Sequence, residues 1–300
     1  MEFLNQAARV DAERRGLWLG FIGVAMFSLT LPATRIAVRH LDPIFVGLGR
    51  SLVAAALAAI FLLAWRERRP TIAQFKQLAV VAAGVIFGFP ALTSWAMRHV
   101  PSAHGAIVVG LMPLATAIIG AWINHERPSR GFWIAALAGS ALVVAFAVFH
   151  GGGALQLADL ALFVAILLGA LGYALGARVT RELGGPRTIC WALVISVPFL
   201  VLPVAWGAAR SDFAAATAVE WAGFLYVAVF SQLIGFFAWY RGLDIGGIAR
   251  VSQVQLTQVF LTMLFSGLLL GEAITPLMLG FALAVVATVA IGRRMPVARV

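Results

Sequence analysis

The sequence predicts an all-α polytopic membrane protein, with ten transmembrane helices in two inverted five-helix repeats. Three observations carry this reading. Of 300 residues, 62% are hydrophobic and only 11% charged, whereas soluble domains carry about 25% charged residues. The apolar residues fall into ten runs of roughly 20, each long enough to cross hydrocarbon as a helix. Five of these runs precede a triple glycine at Gly151 to Gly153, and an odd number of crossings makes a duplicated second half enter from the opposite side. The halves are residues 1–150 and 151–300.

In chain order the runs are Leu17 to Val38, Ile44 to Ala64, Gln77 to Met97, Ala103 to Ile123 and Phe132 to Phe149 in the first half. The second half has Leu157 to Val179, Ile189 to Ala209, Trp221 to Tyr240, Ile248 to Leu270 and Ile274 to Ile291. Between them lie short breaks rich in turn residues, such as Asp42-Pro43, Arg69-Pro70, Pro101-Ser102, Arg127-Pro128, Gly184-Gly185-Pro186 and Gly246-Gly247. None is long enough for a soluble domain. The first run follows a charged segment (Arg9, Asp11, Glu13, Arg14, Arg15) and lacks a small-residue cleavage site, so it is expected to stay as the first helix.

Basic residues set the orientation, because cytoplasmic flanks retain Lys and Arg. If both termini share a side, that side holds 16 of the 22 basic residues, the other side holds Arg35, Arg39, Arg98 and Arg210, and Arg50 and Arg250 lie in or at the edge of spans. The termini are therefore expected in the cytoplasm and the protein in the inner membrane. The net charge of +10 does not point to nucleic acid, since the basic residues are scattered between apolar spans instead of clustering on one solvated face. The expected partners are membrane lipid and a small-molecule substrate.

Echoes between the halves support duplication. At a spacing of 146, Phe27 matches Tyr173, Arg35 matches Arg181 and Glu126 matches Glu272; at 145, Trp95 matches Tyr240 and Pro113 matches Gln258.

The ninth run carries the most telling polar pattern. Ser252, Gln255, Gln258, Thr262 and Ser266 fall at helical spacing on one face of an otherwise apolar span. An unsatisfied amide in hydrocarbon costs several kcal/mol, so this face meets either a watery cavity or another helix as hydrogen-bonding glue. Phe27, Trp95, Tyr173, Trp239 and Tyr240, several of them related by the repeat, are candidates for the apolar walls of a central pocket, with core packing as the alternative. Trp18, Trp65, Trp122, Trp133, Trp206 and Trp221 lie near run ends and read as interface anchors. Glycines four apart, including Gly16 and Gly20, Gly84 and Gly88, Gly172 and Gly176, and Gly242 and Gly246, allow close helix contact. Arg50 lies about two turns into a span; its simplest reading is a snorkelling or paired structural arginine.

Catalytic and cofactor chemistry find little support. Each of the twelve acids falls in a loop or within about a turn of a helix end, and the five histidines share no ligand spacing. His99 and His104 read as interfacial histidines, with a proton relay as the alternative. The lone Cys190 rules out an internal disulfide framework and a multi-cysteine metal site. No cofactor, metal ligand set or catalytic residue is expected, and no midplane carboxylate is available for ion coupling.

The doubled five-helix plan, Pro43 and Arg50 opening the second span, Pro113 in the fourth, and an acid after spans four and nine (Asn124-His125-Glu126 and Leu270-Gly271-Glu272) resemble the EamA family of the drug/metabolite transporter superfamily. The resemblance runs from about Gly16 to Gly292. It implies a carrier of small metabolites, often an amino acid exporter, working by alternating access between the halves. It also implies a structural role for Arg50, since the family pattern carries an arginine there. The second half departs from the pattern at Gln258, where a helix proline is expected. The resulting expectation is export of small metabolites, foremost amino acids including aromatic ones, held by Gln255 and Gln258 with Phe27, Trp95, Tyr173, Trp239 and Tyr240 as walls. Alternatives are a carrier of drugs, nucleotide sugars or other metabolites, and then a channel or membrane-embedded enzyme.

Overall fold

Helix propensity and the absence of water to satisfy backbone groups dictate the architecture. An apolar segment of this length closes all its peptide hydrogen bonds within itself only as a helix. The computed structural model describes residues 2–123, 126–150, 155–246, 251–295 and 297–299. The triple glycine, His125 and Arg250 lie outside the described residues, as do the side chains of Glu126, His150 and Ser252.

Among the described residues, eight helices are long and apolar enough to span a membrane. They are α1 (Arg14–Ala37), α2 (Pro43–Ala64), α3 (Ile72–His99), α4 (Ser102–Ile123), α5 (Arg130–Phe149), α6 (Leu157–Leu183), α7 (Gly185–Ala209) and α8 (Ala218–Ile245). Two shorter apolar helices follow, α9 (Val254–Leu270) and α10 (Pro276–Gly292). They occupy the last two predicted runs. A small departure from the all-helical expectation is an antiparallel ladder of β1 (Glu126–Pro128) and β2 (Val297–Arg299), which ties the loop after α4 to the C-terminal tail.

Local sequence sets the ends. Asp42 accepts from the Ile44 amide at 2.8 Å with Pro43 at the first helical position of α2, and Thr275 caps α10 with Pro276 at the same position. Capping boxes join Thr71 with Gln74 and Thr217 with Glu220. Gly271, with φ of 66°, ends α9 in the left-handed conformation that glycine adopts without steric cost.

Close backbone approach holds the bundle together. The predicted small-residue faces meet: a Cβ on Gly84 would collide with the Leu168 carbonyl and the Gly172 amide, and one on Gly242 would fall 2.7 Å from the Gly20 amide. Large apolar side chains such as Leu63, Trp122 and Leu202 cover the outer surface. Trp18, Trp65, Trp122, Trp133 and Trp206 are exposed as anchors require, but Trp221 is half-buried and stacks on Phe213 at 5.8 Å.

The helices nearest the centre are irregular. The α1 helix breaks at Leu29, and α4 breaks around Gly110 and Leu111, just ahead of Pro113. Residues Ala83–Gly88 of α3 and Val227–Ile234 of α8 are π-helical. Adding 146 to 83–88 gives 229–234, inside the second π segment. A 3₁₀ turn, Ser252–Thr257, leads into α9. A π turn leaves carbonyls without their usual partner, and side chains from other helices supply it. Gln232 donates to the Val85 carbonyl at 3.2 Å and Ser51 to the Ile86 carbonyl at 3.4 Å.

Candidate functional site

The irregular segments surround a central cavity. Its walls are Phe27, Thr30 and Leu31 of α1, Arg50 of α2, Val85 and Phe89 of α3, and Ala106, Val109, Gly110, Met112 and Pro113 of α4. The second half adds Gly169 and Tyr173 of α6, Ser231, Gln232 and Phe236 of α8, and Gln255, Gln258, Val259 and Thr262 of α9. The cavity volume is about 50 Å³, room for a few waters at ~10–15 Å³ each. The cavity is narrow as it stands.

The polar stripe of α9 divides by depth. Gln255, Gln258 and Thr262 face the cavity. Neither glutamine amide makes a hydrogen bond to another group among the described residues, which is what a cavity wall leaves and helix glue does not. Ser266, two turns on, is glue: it accepts from the Ser102 hydroxyl at 2.8 Å and donates to the Thr262 carbonyl at 2.7 Å. Across the cavity Thr30 and Ser231 bond at 2.7 Å.

Of the predicted aromatics, Phe27 and Tyr173 line the cavity. Trp239 and Tyr240 stand one layer behind: Trp239 packs edge-on against Phe27 at 6.4 Å, and Tyr240 is buried against Phe236 at 5.4 Å. Trp95 sits away from the cavity, against His99 at 4.5 Å. The walls not foreseen include Phe89 and Phe236. The extra residue of a π turn rotates the downstream side chains by roughly 100° relative to a regular helix, so Phe236 turns inward just past the α8 π segment.

Arg50 is the charged member of the lining. It is 2% exposed, and its Nε and Nη1 are buried without a hydrogen-bond acceptor. Among the described residues no Asp or Glu lines the cavity. A cation in the membrane interior costs about 2.5–3.5 kcal/mol on insertion scales, and no anion among the described residues offsets it here. The expected snorkelling or paired arginine is not what the structure contains.

One end of the cavity is closed by polar contacts between the halves. Arg35 Nε meets Glu272 Oε1 at 3.1 Å, and Arg35 also donates to the carbonyls of Met97 (2.9 Å) and Val100. Glu272 accepts from the amides of Ser102 (2.9 Å) and Ala103 (2.8 Å), capping α4, where a carboxylate is favoured by the free amides and the helix dipole. Nearby, buried His104 bonds Asp159 at 2.6 Å, Asp42 pairs with Arg210 at 3.4 Å, and His40 bonds Glu220 at 3.0 Å. Neither His104 nor Asp159 lines the cavity. At this end Ser102 through Ala115 are buried, whereas farther along α4 residues 116–120 are half-buried and Trp122 is exposed. Among the described side chains the opposite end is tied by Glu67 with Arg187 at 2.7 Å and Gln74 with Glu182 at 3.1 Å, beside the β1–β2 ladder. Arg181 there is exposed.

Comparison with known proteins agrees with this geometry. The EamA-like transporter family matches the chain twice, over residues 14–151 and 156–293. The chain is 44% identical over 278 residues to the uncharacterized transporter YdeK of Bacillus subtilis (strain 168), covering 92% of this chain and 96% of that one. It is 22% identical over 250 residues to the uncharacterized transporter YyaM of the same organism, covering 79% and 80%. A solved crystal structure shares the fold with a TM-score of 0.59 at 20% identity, covering 92% of this chain and 95% of that one. A multi-pass bundle whose two matching halves enclose a polar and aromatic cavity, closed at one end, is the architecture of a transporter, and the chain belongs to the EamA-like transporter family.

Proposed function

We propose that this protein is an inner-membrane exporter of small amphipathic metabolites, foremost amino acids including aromatic ones, working by alternating access. All ten helices cross the membrane as two inverted five-helix repeats, divided near residue 150, and both termini lie in the cytoplasm. The observation that carries the reading is the central cavity, which takes walls from four helices of the first half and three of the second. Its Gln255 and Gln258 amides suit a polar head group, and Phe27, Phe89, Tyr173 and Phe236 suit an apolar side chain.

Inversion is supported by Arg35 and Arg181, which match at the repeat spacing yet stand at opposite ends of the bundle, and by the two π segments at matching positions. It also yields a mechanism. Arg35 and Glu272 lock the outer end, and their repeat partners Arg181 and Glu126 form the corresponding lock at the cytoplasmic end once the first opens. The closed outer end and exposed Arg181 correspond to the cytoplasm-facing state.

Counterflow in proteoliposomes tests this reading. Vesicles preloaded with one unlabelled amino acid should take up its labelled form, aromatic ones included, without an imposed ion gradient. Uptake of drugs or nucleotide sugars with no response to any amino acid would replace the cargo.

A further inference from the structure

We propose that Arg50 anchors a carboxylate of the cavity's occupant, so that a carboxylate is the obligatory group of the substrate. The inference deepens the transport reading and rests on it for treating the cavity as a substrate site.

Other arginines of the fold show what a structural role looks like here. Arg35 is occupied by Glu272 and two carbonyls, Arg187 by Glu67, Arg210 by Asp42 and Arg241 by Asp244. Arg50 makes no ion pair among the described residues, and two of its nitrogens are buried without acceptors. At 2% exposure it does not reach the surface, which excludes snorkelling. Its guanidinium borders the cavity instead.

A buried cation without a protein anion is unfavourable in the empty state, and an anion entering the cavity removes that penalty. The planar guanidinium fits a carboxylate through two parallel hydrogen bonds. Tyr173, on the same cavity and within electrostatic reach of Arg50, offers a hydroxyl to a carboxylate oxygen. With no acid among the described residues of the lining, an ammonium group meets neutral acceptors such as Gln255 and Gln258. Recognition therefore rests on the acid group, and an amino group adds less.

The test uses the purified full-length protein and matched pairs of probes: amino acids with their amides, and benzoate and phenylpropionate with theirs. Melting temperature is read against probe concentration for wild type, Arg50→Met and Arg50→Lys. At least one carboxylate should stabilise the wild type while its amide does not. Arg50→Met should weaken that response tenfold or more, with Arg50→Lys in between. Without probe, Arg50→Met should melt at or above wild type, because an uncompensated buried cation has gone. Amides that match their acids, no response to any carboxylate, an unchanged response in Arg50→Met, or an Arg50→Met protein that melts lower or fails to fold would each overturn the proposal. The cargo reading fails separately: phenylpropionate binding through Arg50 with no amino acid response keeps the anchor and removes amino acids, and equal binding of amino acids and their amides does the reverse.

Discussion

Glu272 meets Arg35 from the other half of the chain and, with the same carboxylate, takes up the amides of Ser102 and Ala103. One side chain thus joins the end of α1, the start of α4 and the turn after α9. Three elements that must separate for this end to open are held at a single point.

Glu272→Gln should open that end. The change removes the ion pair and weakens charge-assisted bonds worth about 1.5–3 kcal/mol each. Thr34, 1% exposed behind the lock, gives the readout: in a Cys190→Ala background, Thr34→Cys should be inert to an impermeant thiol reagent and become reactive when Glu272→Gln is added. Glu126→Gln, at the matching position, should slow labelling in the double variant. Facilitated movement of substrate should survive Glu272→Gln, because Glu272 does not line the cavity; complete loss in folded protein would refute this scheme.

Gln258→Leu should change affinity more than stability. Its amide faces the cavity without a hydrogen-bond partner among the described residues, so its removal breaks no described helix contact. Losing a hydrogen bond to a charged group costs about 1.5–3 kcal/mol, roughly tenfold to a hundredfold in affinity, whereas interhelical glue averages about 0.6 kcal/mol of stability. Ser266→Ala should show the opposite balance, since Ser266 bonds Ser102. Substrate-induced and unliganded melting shifts of the two variants separate the roles.

Much of the fold and part of the cavity are legible in the sequence, and the failures have a common cause. Hydropathy marks spans because length and apolarity act residue by residue, and Gln258 and Thr262 show as one face because α9 is a regular α-helix from Gln258 onward. Trp239 and Tyr240, expected as cavity walls, stand one layer behind Phe27 and Phe236, because the π segment before them changes which way the downstream side chains point. Nothing in Val-Ala-Val-Phe-Ser-Gln-Leu-Ile announces a π turn; it is sustained by tertiary partners such as Gln232 and the Val85 carbonyl. Arg50 escapes sequence reading for a related reason, since the absence of a partner is a property of the whole bundle.

The termini should prove cytoplasmic. In the Cys190→Ala background, Leu155→Cys and Arg68→Cys both place a thiol at an exposed position, at opposite ends of the bundle. In intact cells an impermeant reagent should label only the first. Labelling of Arg68→Cys alone would reverse the orientation.

Gly84→Ala should be severe. Its new methyl would strike the backbone of α6 at Leu168 and Gly172, and backbone does not move aside as a flexible side chain does. Such overpacking costs roughly 1–3 kcal/mol or more, seen as a lowered melting temperature. Gly280→Ala, with open space around it, is the control and should be neutral.

The turn Ser252–Thr257 rises about 2.0 Å per residue against about 1.5 Å in an α-helix. Over its six residues that difference comes to about 3 Å of slack. Rewinding would draw α9 along its own axis like a piston while keeping its backbone hydrogen-bonded throughout. Gln255 lies within the turn and Gln258 directly follows it, so both amides would travel and swivel with the stroke. A cavity now fit for a few waters would thus be reshaped from within its own wall, without any helix leaving the bundle.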